Sequence, residues 1–299
     1  GRSKELIDAV WDAKVHRPDG IISGAELWET ITSNENVESV PYPYDGINDK
    51  THGIRKGEIV TICAGSGIGK SQLVREIAHH LLKQEQTIGY IALEESVRRT
   101  ALGLISLELN KPVHLGNSDV TDNDLWEAFN NSVGNGKVFF YDHFGSSDED
   151  NLLSRIRYFG VALGCKYIIL DHLSIVVSGL EGGDERRIID NTMTKIRTLV
   201  EELGIGMILV SHLKRPNSDK GHEDGLRTSL AQLRGSAGIG QLSDIVIGLE
   251  RNQQSQETSD LSTVRILKNR WTGETGICCQ LQYSKETGRM TEQLEEVDF

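Results

Sequence analysis

The sequence predicts an α/β fold: a mainly parallel sheet flanked by helices, with an N-terminal helical arm ahead of it. From Glu58 onward short apolar runs alternate with amphipathic helical stretches, the pattern of a parallel sheet buried on both faces. One strand–helix junction reads A-G-S-G-I-G-K-S from Ala64 to Ser71, a glycine-rich turn of the kind that cradles phosphate. After "DIVIGLE" the alternation stops. "STVRILKNR" and "ICCQLQYS" are separated only by "WTGETG", so the sheet should finish as an antiparallel edge.

Taken in order, Lys4–Val15 places Leu6, Ile7, Val10, Trp11 and Val15 on one helical stripe. "RPDG" then turns the chain, and a second helical stretch runs from about Gly24 to Thr32. "SNENVESVPYPYDGIND" is polar and rich in turn residues, as a linker is. These features divide the chain into an arm (1–43), a main domain (44–290) and an acidic tail (291–299). The arm's apolar stripe can pack on its own domain or dock on a neighbouring subunit as a latch. In the main domain "EIVTICA", "IGYIAL", "KVFFYD", "KYIILD" and "IGMILVS" read as strands. "KSQLVREIAHHLLKQ", "SVRRTALGLISLEL", Asp150–Leu163 and Glu185–Leu203 read as helices.

Bulk properties narrow the classes. No apolar run approaches the roughly 20 residues needed to cross a bilayer, so no membrane partner is expected. The four cysteines, Cys63, Cys165, Cys278 and Cys279, form no C-x-x-C pair. They read as reduced thiols in a cytoplasmic-type environment. A net charge of −12 argues against a surface coated with cations for nucleic acid, but not against cations concentrated on one inward surface.

The chemistry starts at the glycine-rich turn. Gly65, Ser66, Gly67, Ile68 and Gly69 can aim backbone N–H groups at phosphate oxygens at a positive helix end. Lys70 can reach the terminal phosphates, Ser71 can hold Mg²⁺, and Gln72 follows on the helix. Hydrolysis also needs a carboxylate on the metal side and a base to position water. Two strands end in aspartate, at Asp142 and Asp171. Asp171 follows the more aliphatic run, as a central strand would, and is the metal-side candidate. Glu94, at the tip of "IALEES", can face the γ-phosphate, whereas Glu95 suits the following helix N-terminus. His212 ends "ILVSH" on the rim where open sheets bind ligands.

Together these blocks, with "RPDGIIS", "GINDKTHGIRKGEIV", "IILDHLSIVVS", "LRGSAGIGQLSD", "RILKNRWTGETG" and "YSKETG", resemble the RecA/DnaB-type hexameric helicases. The similarity is closest to the helicase half of T-seven-like phage primase–helicases and mitochondrial Twinkle, and it runs over nearly the whole chain. The resemblance implies a RecA-like phosphate-loop NTPase core, Mg²⁺ as cofactor, and ATP or dTTP as substrate. It implies that Glu94 is the base activating water and that Asp171 orders the metal. His212 and Gln241 would report the γ-phosphate. Arg270, with Lys268 beside it, would reach a neighbouring subunit's nucleotide, while Arg251 and Tyr283 would sandwich the base. Their bland alternatives are a surface charge and an edge-strand aromatic.

"HLKRPNSDKGHEDGLRTSLAQLRGS" holds five cations against three acids, a basic stretch in an acidic protein. No tryptophan or tyrosine interrupts it, so backbone contact rather than base stacking is the expected mode. Lys214, Lys220 and Arg234 match the family's single-stranded DNA loop, and the small residues Gly235 and Ser236 suit backbone contact beside them. "DHLSIVVSGLEGGDER" should also face a central channel, with His172 structural. Family analogy further implies a homo-hexamer or heptamer ring, 5′–3′ movement on single-stranded DNA, and a location in a phage-infected cytoplasm or the mitochondrial matrix. The tail "EQLEEVDF" is either a disordered end or a contact for the replicative DNA polymerase. Ala64 stands where the loop usually has glycine, and the family's primase half with its zinc cysteines is absent, as in a helicase fragment or a protein lacking that activity. The rival readings are a recombinase-like filament and a small-molecule kinase.

Overall fold

A computed structural model describes residues 2–6, 20–33, 38–65, 69–116, 119–142, 149–173, 182–213, 221–233, 237–255 and 260–294. The chain divides into two compact units, Gly1–Glu38 and Ser39–Phe299. In the first, residues 2–6 are helical, a 3₁₀ turn spans Gly24–Glu26, and helix α1 spans Trp28–Thr32. Most of the Lys4–Val15 stripe lies outside the described residues. The second unit begins at Ser39 rather than Tyr44, because Val40, Tyr42 and Tyr44 are already part of its core.

That unit opens with a small antiparallel pair, β1 (Ser39–Val40) and β2 (Ile54–Arg55), around helix α2 (Asp45–Thr51). Nine strands form the main sheet: β3 (Ile59–Ala64), β4 (Ile88–Ala92), β5 (Val138–Phe140), β6 (Tyr167–Asp171), β7 (Gly206–His212), β8 (Ile245–Arg251), β9 (Leu261–Asn269), β10 (Gly276–Tyr283) and β11 (Met290–Gln293). Their order is β11-β10-β9-β8-β3-β7-β6-β4-β5. β3 to β8 are parallel to their neighbours in that set, and β9, β10 and β11 extend it antiparallel. The alternating pattern and its hairpin finish are therefore both present. β11 continues past the expected tail boundary at 290, since Met290–Gln293 pair with β10.

Side chains alternate along each strand, so one apolar run feeds two cores. Tyr167 and Ile169 of β6 join one cluster with Leu73, Ile77 and Leu81 of α3 (Lys70–Lys83) and Leu104 of α4 (Val97–Leu109). Ile168 and Leu170 join the other. There they meet Leu152 and Ile156 of α6 (Glu149–Val161) and Ile189, Met193, Ile196 and Val200 of α7 (Gly182–Leu203). The 189/193/196/200 spacing is the stripe that turns one helical face to the sheet. Helix α5 (Asp122–Asn130) was not among the expected elements, although Thr121 and Asp124 form its capping box. Helix α8 (Ala237–Leu242) precedes β8. Among the described residues no helix is long and apolar enough to cross a membrane, and all four cysteines are free.

The phosphate-loop helix is also tied to the last strand. Glu76, buried on α3, accepts from Arg289 Nε at 3.1 Å and Nη2 at 3.0 Å, and from the Met290 N–H at 2.9 Å. Removing the carboxylate leaves the Met290 amide and two donors of the half-buried Arg289 without their acceptor, while Arg289 Nη1 keeps Leu107 O and Asn110 Oδ1. Glu76→Ala is expected to cost about 2 kcal/mol of stability, read as a lower urea midpoint with an unchanged m-value.

Candidate nucleotide site

The parallel strands all end at one rim, and Lys70, Ser71, Glu94, Asp171 and His212 gather there. β3 ends at Ala64, and α3 starts at Lys70 after Gly69, whose φ of 96° is a conformation glycine adopts without strain. Ser66, Gly67 and Ile68 lie outside the described residues. Lys70 is only 6% exposed, and its ammonium sits against His212 Nδ1. Burial lowers the Lys70 pKa, against the opposing pull of Asp171 and Glu94. Its charge is thus poorly solvated until an anion arrives.

Asp171 closes β6, beside β4 and β7 in the sheet. Ser71 Oγ donates to Asp171 Oδ2 at 3.3 Å. Burial pushes the Asp171 carboxyl up, with His172 and Lys70 acting in the opposite sense. A hydroxyl and a carboxylate this close supply hard oxygen donors, the kind that suits Mg²⁺. Asp142 is exposed beyond β5, the edge strand of this side, away from the loop.

Glu94 lies just past β4, where the Leu93 N–H donates to Asp171 O at 2.7 Å. Its carboxylate is 2.7 Å from His172 Nε2. The His172 and His212 rings meet edge to face with centroids 4.1 Å apart. Burial raises the Glu94 pKa, but the adjacent His172 ring, with His212 and the Lys70 ammonium nearby, outweighs it and the net direction is downward. Glu94 is therefore held as a carboxylate. Glu94, His172 and His212 have ligand atoms within 4.8 Å of one another, and the Glu94–His172 contact accounts for that grouping without an ion. His172, read from sequence as structural, is a direct partner of the proposed base; its place next to Asp171 at a strand end was the signal. Arg99 also lines the cavity formed by Ser71, Ala92, Glu94, Glu95 and Asp171, and nothing in the sequence pattern singled it out.

Arg251 and Tyr283 end β8 and β10. A Cβ on Gly69 would come within 3.7 Å of Arg251 Nη1, so this guanidinium stands beside the phosphate loop. Gln72 Nε2 donates to Gly288 O at 3.0 Å, which ties the loop helix to the turn after Tyr283.

Three expected residues occupy the opposite rim. Arg270 Nη1 lies 3.2 Å from Asp244 Oδ1, and Nη2 donates to Gln241 O at 2.9 Å. Lys268 Nζ donates to Gly240 O at 2.8 Å and Gln241 O at 3.0 Å. Asp244 is fixed to the start of β3, accepting from the Ile59 N–H at 2.8 Å. The length of β3, roughly 17 Å at about 3.3 Å per residue, separates this group from Lys70. The expectation that His212 and Gln241 share one γ-phosphate does not hold within a single chain, because α8 carries Gln241 down to the wrong end of the strands. Arg270 likewise cannot reach its own chain's phosphate loop, and half of its side chain is exposed.

Lys214, Lys220, Arg234, Gly235 and Ser236 lie outside the described residues. Their flanks do not: Leu213 and Leu233 form an antiparallel bridge, so the cationic stretch departs from and returns to the catalytic rim beside His212.

A parallel sheet whose loop lysine, metal-side aspartate and strand-tip glutamate converge on one rim defines a phosphate-loop NTPase domain. A family model, the DnaB-like helicase C terminal domain, matches residues 39–292. The chain belongs to that family. A DNA helicase/primase of Enterobacteria phage T3 is 39% identical over 299 residues, covering 96% of this chain and 52% of the relative. The replicative DNA helicase DnaB of Helicobacter pylori strain 26695 is 26% identical, covering 80% and 50%. The chain thus spans about half the length of these curated relatives. Among solved structures, a DnaB-like replicative helicase superposes with a TM-score of 0.73 at 19% identity, covering 96% of this chain and 71% of that one. A separately solved ATPase domain superposes with a TM-score of 0.74, also at 19% identity, covering 93% and 100%. The fold that the resemblance implied is the one observed.

Proposed function

We propose that this chain is the motor of a ring-shaped replicative DNA helicase that couples hydrolysis of ATP or dTTP to 5′–3′ movement on single-stranded DNA. One observation supports this most: Lys70, Asp171 and Glu94 face one rim while Arg270 faces the other. A hydrolysis site completed by Arg270 needs a second copy stacked head to tail, and such a heterologous contact closes into a ring or winds into a filament. Membership of the DnaB-like family favours the ring, a hexamer or heptamer.

In this reading Gly65–Ser71, Lys70 among them, bind the phosphates, and Ser71 and Asp171 would hold Mg²⁺, which would supply positive charge against the phosphates. Glu94 orients a water against the γ-phosphorus and accepts its proton as the bond to the leaving diphosphate breaks. Arg270 of the adjacent subunit stabilises the charge that develops. Lys214, Lys220 and Arg234 track the strand's phosphates, and because their stretch begins next to His212, loss of the γ-phosphate is felt there first. The arm docks on the next subunit, and the acidic tail reaches the replicative polymerase.

A forked duplex with a 5′ single-stranded tail tests the proposal. Strand separation that requires nucleotide and Mg²⁺, and that stops on addition of EDTA, is expected. Nucleotide-dependent strand binding without separation would replace the motor by a passive filament.

A further inference from the structure

Gly65, the second residue of the phosphate loop, is not among the positive-φ glycines, whereas Gly69 is. A neighbour, not the backbone, excludes a side chain there. A Cβ on Gly65 would lie 2.4 Å from His222 Cβ and 3.0 Å from its Nδ1, far inside van der Waals contact. His222 is buried. Its Nε2 donates to Gln232 Oε1 at 3.0 Å, an oxygen that also accepts the Ser229 N–H at 3.2 Å.

The turn that carries His222 is closed on itself: the Gly221 N–H donates to Asp224 Oδ2 at 3.1 Å and the Gly225 N–H to His222 O at 3.1 Å. It is also fastened to the end of β8. Glu223 O accepts the Gln253 N–H at 2.8 Å, Asp224 bridges Asn252, and the Thr228 N–H donates to Glu250 Oε1 at 3.2 Å. Arg251, beside Gly69, sits within that same stretch of β8. One short segment therefore braces both sides of the nucleotide seat, the phosphate loop through Gly65 and the Arg251 side through β8. In sequence it follows directly on residues 214–220, which hold Lys214, Arg215 and Lys220.

We propose that His222 is a positioning residue that presses on the phosphate loop at Gly65, so that the nucleotide seat and the chain emerging from the cationic stretch shift together. It touches no nucleotide; it sets where the loop that does so can sit. The proposal rests on the helicase reading for the identity of the strand, but not for the packing.

The test uses the whole chain and reads nucleotide binding and steady-state hydrolysis with ATP and dTTP, without and with oligo-dT. Gly65→Ala is expected to weaken nucleotide binding about tenfold, the order of cost for forcing a methyl into a packed contact. Adding His222→Gly removes the atoms that a new Cβ would meet, and the double variant should recover to within about threefold of wild type, as coupled neighbours do. His222→Ala should raise KM for nucleotide more than it lowers kcat and reduce the stimulation by oligo-dT. His222→Gln, which keeps an N–H for Gln232, should recover both. A double variant that binds no better than Gly65→Ala overturns the packing claim. Wild-type KM and wild-type stimulation in His222→Ala overturn the coupling claim. Absence of any oligo-dT stimulation in the unaltered chain would instead strike the helicase reading, leaving the Gly65–His222 result to stand by itself.

Discussion

Glu94→Gln is expected to bind nucleotide normally and to hydrolyse it about 10²–10⁴-fold more slowly, the range for loss of a positioned general base. The cavity beside the loop offers three carboxylates, and two of them are less exposed than the third. Asp171, half-buried, accepts from Ser71 Oγ. Glu95 pairs with Arg75 and accepts from Thr100 Oγ1 at 2.8 Å. Glu94 alone of the three is mostly exposed, with its side chain 54% open, and its contacts with His172 and the nearby cations hold it ionised. The substitution keeps the shape and an acceptor oxygen, so nucleotide affinity measured with a fluorescent analogue should stay within a few-fold. Single-turnover hydrolysis gives the rate. Undiminished turnover would reassign the base, with His172 the next group to examine.

Arg270→Ala should cost about 10³-fold or more in kcat, the size associated with an arginine supplied to a phosphoryl-transfer site. The loss should appear only at concentrations where subunits associate. The sharper form of this prediction is complementation. Lys70→Ala destroys a subunit's own phosphate loop and leaves its Arg270 intact; Arg270→Ala does the reverse. Each variant alone should be inactive, while a mixture should recover a measurable fraction of wild-type hydrolysis through interfaces that pair an intact loop with an intact arginine. A mixture as inactive as its components would mean that Arg270 does not complete the site in trans. The distance along β3 between Ile59, beside Asp244, and Ala64, beside His212, makes any contribution in cis geometrically unavailable.

The parts legible in the sequence were those set by local rules. Two-sided burial writes a strand such as Tyr167–Asp171 as an uninterrupted apolar run, and the glycine-rich turn at Ala64–Ser71 sits where strand period gives way to helix period. Strand ends were legible too, and with them the rim that gathers Glu94, Asp171 and His212. What escaped depends on contacts between distant residues. Gln241 looked like a partner of His212 until α8 placed it at the far end of the strands. His172 looked structural until the end of β4 brought Glu94 to its ring. Gly65 reads as one more loop glycine, and only the packing of His222 shows why no other residue would fit. The short helix Asp122–Asn130 is a milder case: its cap was written in Thr121 and Asp124, but an exposed helix with only Ala128 buried has too little apolar stripe to announce itself.

Tyr44 Oη donates to Met290 O at 2.9 Å, and Glu292 accepts the N–H groups of Asp45 and Gly46 at 2.8 and 2.9 Å. Residues 44–46, near the start of the main unit, and 290–292, near its end, are thus neighbours on one edge of the sheet. Polypeptide that follows residue 293 leaves close to helix α2, so a bulky fusion placed there would press on the contacts that hold that helix.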